Sequence, residues 1–134
     1  MGVIFDTSVL IALERGNLDV DRLIHGREQE PFGISVVSAA ELLHGVHRAD
    51  TQMRRIRRAS YVEKVLERFT PYPFDLTAAR IYAESWATLL KKGVQIGAHD
   101  LMIAATAMSL GFSVATLDLR DYGKIEGLSL EPVG

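Results

Sequence analysis

Residues 2–6 of the chain read Gly-Val-Ile-Phe-Asp, a short apolar run that ends at an acidic residue. Such a run predicts a buried β-strand, and residues 8–15, which end before Gly16, predict the helix that follows it. The same alternation recurs along the chain, with further strands predicted at 33–37, 72–74, 113–117 and 128–131. Because helices separate these strands, the connections are crossovers. The sequence therefore predicts an α/β fold with a mainly parallel sheet covered on both faces.

The predicted helices fill the segments between the strands. They cover 8–15, 19–30, 38–47, 51–69 and 98–110, with one more from Asp75 or Thr77 to Lys92. Ser38 and Glu41 are three residues apart and match a capping box, in which the Glu side chain bonds back to the Ser backbone N–H. This pattern predicts that a helix begins at Ser38 and places Glu41 in its first turn.

Composition excludes several classes of protein. The chain has 134 residues, 48% of them hydrophobic and 24% charged, so it can form a core and does not resemble a disordered chain. It has no cysteine, which excludes disulfides and thiolate metal sites and is compatible with the cytoplasm. The N-terminus lacks the basic segment of a secretory signal, and the 17-residue uncharged run at 101–117 contains polar and glycine breaks, so no membrane span is predicted.

Five acidic residues are candidates for one site: four lie at or shortly after predicted strand ends, where open parallel sheets form their ligand crevice, and Asp100 lies in the first turn of the predicted helix 98–110. They are Asp6, Glu41, Asp100, Asp118 and Asp121. Taken singly, each has an ordinary explanation as a helix cap, a first-turn acid or a loop acid. Together they would repel one another unless a divalent cation binds between them, and oxygen-only ligands suit Mg²⁺ or Mn²⁺.

Four segments carry a resemblance to a known family. Residues 3–11, 34–42, 96–105 and 115–122 resemble, in order and spacing, the acidic motifs of the PIN-domain family. The resemblance implies that residues 1–134 form one PIN-like ribonuclease domain, a three-layer α/β/α fold. At this length, the closest likeness is to the VapC toxins of bacterial VapBC toxin–antitoxin pairs.

The resemblance also implies roles for individual residues. Asp6, Glu41 and Asp100 match the three core acids of a Mg²⁺-dependent endoribonuclease, in which a metal-activated water attacks the RNA phosphorus. The fourth acid is Asp118 or Asp121, with Asp118 favoured, and all five are candidate metal ligands. Thr116 matches a hydroxyl position that orients a carboxylate, although an ordinary strand Thr would explain it equally well.

A basic run lies on the predicted helix 51–69. It consists of Arg54, Arg55, Arg57 and Arg58, which form either a solvated helix face or a contact to RNA phosphates. The net charge of −2 argues mildly against binding of a polyanion. Without the five candidate site acids, however, the count becomes 15 basic against 12 acidic residues, or +3. We therefore expect RNA binding that weakens when the metal is removed.

Two other classes of function are compatible with part of this pattern. One is another Asp-based phosphohydrolase or phosphoacceptor, and the other is a catalytically silent PIN-like module that binds protein. The former lacks its second acid, because Ser8 stands two residues after Asp6. The family resemblance further implies a VapB-like antitoxin as partner, an RNA substrate, a homodimer and a toxin–antitoxin hetero-oligomer.

Overall fold

A computed structural model describes residues 1–133, and within them the chain forms five strands and seven helices. The strands are β1 (Val3–Phe5), β2 (Phe32–Ser35), β3 (Thr70–Tyr72), β4 (Ser113–Thr116) and β5 (Leu130–Pro132). The helices are α1 (Thr7–Glu14), α2 (Val20–Ile24), α3 (Val36–Arg48), α4 (Gln52–Arg68), α5 (Leu76–Lys91), α6 (Ala98–Leu110) and α7 (Leu119–Tyr122). No helix in the described residues is long and apolar enough to cross a membrane.

All neighbouring strands pair in parallel, in the order β3-β2-β1-β4-β5. Successive side chains of β1 point to opposite faces of the sheet, so Ile4 and Phe5 belong to two different cores. The Phe5 side packs against α1, α3 and α4, whereas the Ile4 side packs against α5, α6 and α7. The predicted three-layer α/β/α architecture is thus confirmed, with a sheet that is entirely parallel.

The predicted boundaries hold best where local signals agree. Helix α6 covers the predicted 98–110 and ends at Gly111, whose φ of +69° suits a left-handed C-cap. Thr51 and Asp75 cap α4 and α5 through side-chain bonds to backbone N–H groups three residues on.

The start of α3 differs from the prediction. Strand β2 ends at Ser35, and the Ser35 hydroxyl caps the helix by accepting a hydrogen bond from the Val37 backbone N–H at 3.0 Å. Ser38 is fully buried inside the helix and is not its cap, so the capping-box prediction is wrong. Glu41 consequently lies in the second turn of α3, where it faces the residues that follow β1.

Three other segments also differ. The predicted helix 19–30 is reduced to α2, because Gly26 adopts a φ of +78° and the chain turns. The predicted strand 72–74 lies at 70–72 as β3, an edge strand that tolerates Pro71 since only one of its sides is paired. The short helix α7 was not predicted, because four residues are too few to show a helical period.

Candidate active site

The sheet brings the carboxyl ends of β1 and β4 side by side, and the candidate acids lie there. Asp6 follows the central strand β1 and is only 3% exposed. Asp118 follows β4 and caps α7, while Asp100 lies in the first turn of α6. Glu41 approaches from α3. The four acids predicted as catalytic therefore meet where the carboxyl ends of the sheet's inner strands lie.

Both oxygens of Asp6 are oriented by hydroxyl groups. Ser8 Oγ donates to Oδ1 at 2.6 Å, and Thr116 Oγ1 donates to Oδ2 at 2.7 Å. The Val9 backbone N–H also reaches Oδ1, at 3.2 Å, because Asp6 is the N-cap of α1. The ordinary role of Asp6 as a cap and its proposed role in the site thus use the same carboxylate. Oδ1 thus accepts two hydrogen bonds, whereas Oδ2 accepts one and retains a lone pair for a further ligand.

The same two hydroxyls attach the segment after β4 to Asp6. Thr116 Oγ1 accepts a hydrogen bond from the Asp118 backbone N–H at 2.8 Å, and Ser8 Oγ accepts one from the Leu117 backbone N–H at 3.2 Å. Thr116 makes the carboxylate contact that its motif position implies. Sequence reasoning missed Ser8, although its place two residues after a strand-end acid is typical of a local side-chain turn.

Glu41 is oriented by a second pair of hydroxyls. Thr7 Oγ1 donates to Glu41 Oε1 at 2.7 Å and lies 3.0 Å from Ser38 Oγ. Because the Thr7 proton is directed at Glu41, the buried Ser38 hydroxyl donates to Thr7. The other carboxylate oxygen of Glu41, Oε2, lies 3.6 Å from His99 Nδ1. Neither Thr7 nor Ser38 was recognised from the sequence as part of the site.

Three of the carboxylates can converge on one ion. Asp100, Asp118 and Asp121 each present an oxygen within 4.8 Å of the others, and all three are partly exposed. The Asp121 backbone N–H donates to Asp118 Oδ1 at 3.2 Å, and Lys124 Nζ lies 3.1 Å from Asp121 Oδ1. The structure therefore brings both candidates for the fourth acid to the site. An all-oxygen set of this kind fits a hard divalent cation such as Mg²⁺ or Mn²⁺.

The electrostatics of the site also favour a cation. Burial raises the pKa of Asp6, and the nearby charge of Asp118 raises it further. Burial is also the main reason that the pKa of Asp100 is raised, followed by the charges of Asp6, Glu41 and Asp118. The buried Tyr122 phenol lies 3.4 Å from Asp100 Oδ1, and burial raises its pKa as well, so it remains a proton donor to that carboxylate. A bound cation would relieve this mutual repulsion.

The basic run on α4 does not reach the site as a unit. Arg54 pairs with Asp50 at 2.8 Å, while Arg55 and Arg58 donate to backbone carbonyls at the end of α3 and the turn after it. These bonds tie the first turns of α4 to α3. Of the four arginines in the run, Arg58 is the one that lines the groove beside Glu41, whereas Arg57 is exposed and touches Met53.

Comparison with known proteins agrees with this arrangement. The family model described as "PIN domain" matches residues 3–127. Over 130 residues the chain is 38% identical to a protein named ribonuclease VapC1 from Rickettsia felis, covering 97% of this chain and 95% of that protein. It is 31% identical over 118 residues to a tRNA(fMet)-specific endonuclease VapC from Salmonella typhimurium, covering 88% of this chain and 80% of that one.

Solved structures show the same fold. The chain superposes on a chain from the crystal structure of DNA-bound VapBC from Salmonella typhimurium with a TM-score of 0.89. The two chains are 26% identical, and the match covers 98% of each. This similarity extends over both cores and over all the elements that carry the candidate acids.

Proposed function

The chain belongs to the PIN-domain family and, within it, to the VapC group, and on that premise we propose that it is a Mg²⁺-dependent endoribonuclease toxin of a type II toxin–antitoxin system. The proposal treats residues 1–134 as one ribonuclease domain. The observation that supports it most directly is the convergence of Asp100, Asp118 and Asp121 beside the buried Asp6 and the partly exposed Glu41. The relatives named as ribonucleases support the RNA substrate.

The residues present fit a bound Mg²⁺, or Mn²⁺ in its place. The proposed ligands are Asp6, Glu41, Asp100, Asp118 and Asp121. When bound, such an ion supplies Lewis-acid activation of water and stabilises the charge that develops on the phosphate. Ser8 and Thr116 orient Asp6, and Thr7 orients Glu41, so that neither carboxylate has to be reorganised when RNA arrives. No side chain is required as a covalent nucleophile.

A cleavage assay with purified full-length chain tests this proposal. We expect single-stranded RNA to be cut with Mg²⁺ or Mn²⁺ and to remain intact in EDTA. Asp6→Asn and Asp100→Asn should each abolish cleavage while far-UV circular dichroism remains unchanged. Asp50→Asn is the matched control, because Asp50 is exposed and pairs with Arg54 away from the site.

The outcomes separate the competing functions. Cleavage that persists in EDTA, or in both site variants, would refute the metal-centre assignment. Failure to cut any RNA in the presence of metal would favour the catalytically silent module, and hydrolysis of a phosphomonoester instead of RNA would favour the phosphohydrolase.

We further propose a VapB-type antitoxin as partner, because the Salmonella neighbour is a VapBC complex. The chain would then act in the cytoplasm as a homodimer within a toxin–antitoxin hetero-oligomer. Co-expression with a VapB-type antitoxin, followed by light scattering of the purified complex, tests both the partner and the stoichiometry. A chain that purifies alone as a monomer under these conditions would contradict this part of the proposal.

A further inference from the structure

A groove of about 650 Å³ opens beside the candidate site, on the side of α1, α3 and α4. Glu41 and His99 belong both to the lining of this groove and to the edge of the acidic cluster. The groove also collects three arginines from three different elements: Arg15 at the end of α1, Arg48 at the end of α3 and Arg58 on α4. These three residues lie on different elements of the sequence, and the fold brings them together along one concave surface.

The charges of these arginines are not neutralised within the protein. Among the described residues, none of the three forms an ion pair with a carboxylate. Arg58 does donate from Nη1 to the Gly45 carbonyl at 3.0 Å, which leaves its other guanidinium nitrogens available. Glu14 and Glu41 also line the groove, so its lining carries three positive charges against two negative charges, or +1, and one of the two acids, Glu41, belongs to the cluster that would bind the metal.

Helix dipoles explain part of this arrangement. Arg15 and Arg48 lie at helix C-termini, where a cation is favourable without any ligand. That explanation does not extend to Arg58, which lies inside α4, in its second turn. It also gives no reason for all three side chains to line the same groove, continuous with a cluster of acids that would bind a metal and a phosphate.

We propose that this groove binds the RNA backbone on one side of the scissile phosphate, with Arg15, Arg48 and Arg58 contacting successive phosphates. The inference rests on the proposed ribonuclease function. An extended strand bound at the acidic cluster has to continue across the surface, and a groove lined by guanidinium groups suits phosphate oxygens. Because the lining contains no Phe, Tyr or Trp, binding there depends on charge and is tolerant of base sequence.

Fluorescence anisotropy with a labelled single-stranded RNA of about 12 nucleotides tests the proposal on the full chain. EDTA is present so that no cleavage occurs, and all variants are compared in this same metal-free condition, in which we expect every one of them to bind RNA more weakly. Arg15→Gln and Arg58→Gln should each weaken binding by about threefold to tenfold at low salt. Each should also reduce the slope of log K against log [KCl] by about 0.7, the value for one phosphate contact on a single strand. Arg80→Gln is the matched control, because Arg80 is exposed on α5 in the opposite layer of the fold.

Two further measurements separate a phosphate contact from a structural role. In cleavage assays with Mg²⁺, Arg58→Gln should raise KM and leave kcat within about twofold, since the groove binds the strand outside the reacting phosphate. Arg58→Lys retains the charge but not the planar guanidinium, so it should restore the salt slope even if the contact with the Gly45 carbonyl is weakened.

Each outcome tests either the assignment of the groove to RNA binding or the proposed ribonuclease function. If Arg15→Gln and Arg58→Gln bind RNA as Arg80→Gln does while the unmodified chain still cleaves it, the groove assignment is wrong and the ribonuclease function stands. Unchanged RNA binding together with lost retention of a VapB-type antitoxin would assign the groove to protein binding instead. If the unmodified chain neither binds nor cleaves RNA, the proposed function fails and the groove assignment fails with it.

Discussion

Replacing Asp100 by Asn should make the metal-free protein more stable, although it removes a group that the proposed reaction needs. The carboxylate oxygens of Asp100 and Asp118 lie within 4.8 Å of each other. At that separation two unit charges repel by about 0.9 kcal/mol in water and by about 3.5 kcal/mol at an effective dielectric of 20. Because Asp100 is partly exposed, we take a repulsion of about 2 kcal/mol as the working value.

A second contribution opposes this gain. Asp100 lies in the first turn of α6, where its charge interacts favourably with the helix dipole by about 0.5–1 kcal/mol. The hydrogen bond from the Tyr122 phenol survives, since an Asn carbonyl can accept it. The net expectation for Asp100→Asn is an increase of about 1–1.5 kcal/mol in the free energy of unfolding. For a chain of this size that corresponds to a rise of about 3–6 °C in Tm.

The sign of the pH dependence follows from the raised pKa of Asp100. The folded protein binds this proton more tightly than the unfolded chain does, so the ionised carboxylate destabilises the fold at neutral pH. The advantage of Asn over Asp should therefore shrink as the pH falls through that raised pKa. Asp50→Asn should change stability in the opposite direction. The hydrogen bond from Arg54 lowers the pKa of Asp50, so the ionised Asp50 stabilises the fold at neutral pH, and this contribution is lost as the pH falls.

Urea unfolding followed by circular dichroism, in EDTA and in Mn²⁺, measures the effect. With Mn²⁺ at about 100 times its Kd, the unmodified chain should gain about 2.7 kcal/mol, and its stability should then exceed that of Asp100→Asn. Lower stability of Asp100→Asn in EDTA, or equal stabilisation of both proteins by Mn²⁺, would show that Asp100 is not repelled by its neighbouring carboxylates as proposed.

Three further substitutions test the supporting structure. Thr116→Val removes the buried hydroxyl that donates to Asp6, and it should lower the free energy of unfolding in urea by about 2–4 kcal/mol. A loss no larger than that of a Ser→Ala change at an exposed site would contradict the role of Thr116 in orienting Asp6. Arg27→Gln removes ion pairs to Glu131 and Glu30 and should cost only about 1 kcal/mol, because the pair with Glu131 is partly exposed; the loss should vanish as falling pH protonates both carboxylates, whose pKa values are lowered. Gly33→Ala should lower Tm strongly, since the added carbon would lie 2.4 Å from a β3 tyrosine ring; an unchanged Tm would show that the strands can separate.

Much of the fold could be predicted because its local signals do not depend on tertiary contacts. Helix α6 has an apolar sequence on all sides and a glycine at its end, and both features are visible without tertiary information. The placement of Asp6 and Asp118 followed from a rule about parallel sheets, once the strands before them had been recognised.

The start of α3 shows why other features could not be predicted. Ser35 and Ser38 both precede helical residues, and local propensity gives Ser38 the stronger pattern because Glu41 follows at the capping-box spacing. Tertiary contacts determine where the helix begins. Ser38 is buried against Thr7, and Glu41 forms a hydrogen bond with Thr7 instead of with the N-terminus of its own helix. A local pattern cannot report a partner that lies 34 residues away in the sequence.

The three residues Asp6, Thr7 and Ser8 have a larger part in the site than their short motif suggests. Asp6 contributes the most buried carboxylate, Thr7 orients Glu41 on α3, and Ser8 bonds both to Asp6 and to the backbone after β4. These contacts are possible because β1 is the central strand, with β2 and β4 on its two sides. One turn of chain after the central strand can therefore reach the groups that follow both neighbours, whereas the same tripeptide after an edge strand could reach only one. The specificity of this weak motif thus comes from its position in the sheet.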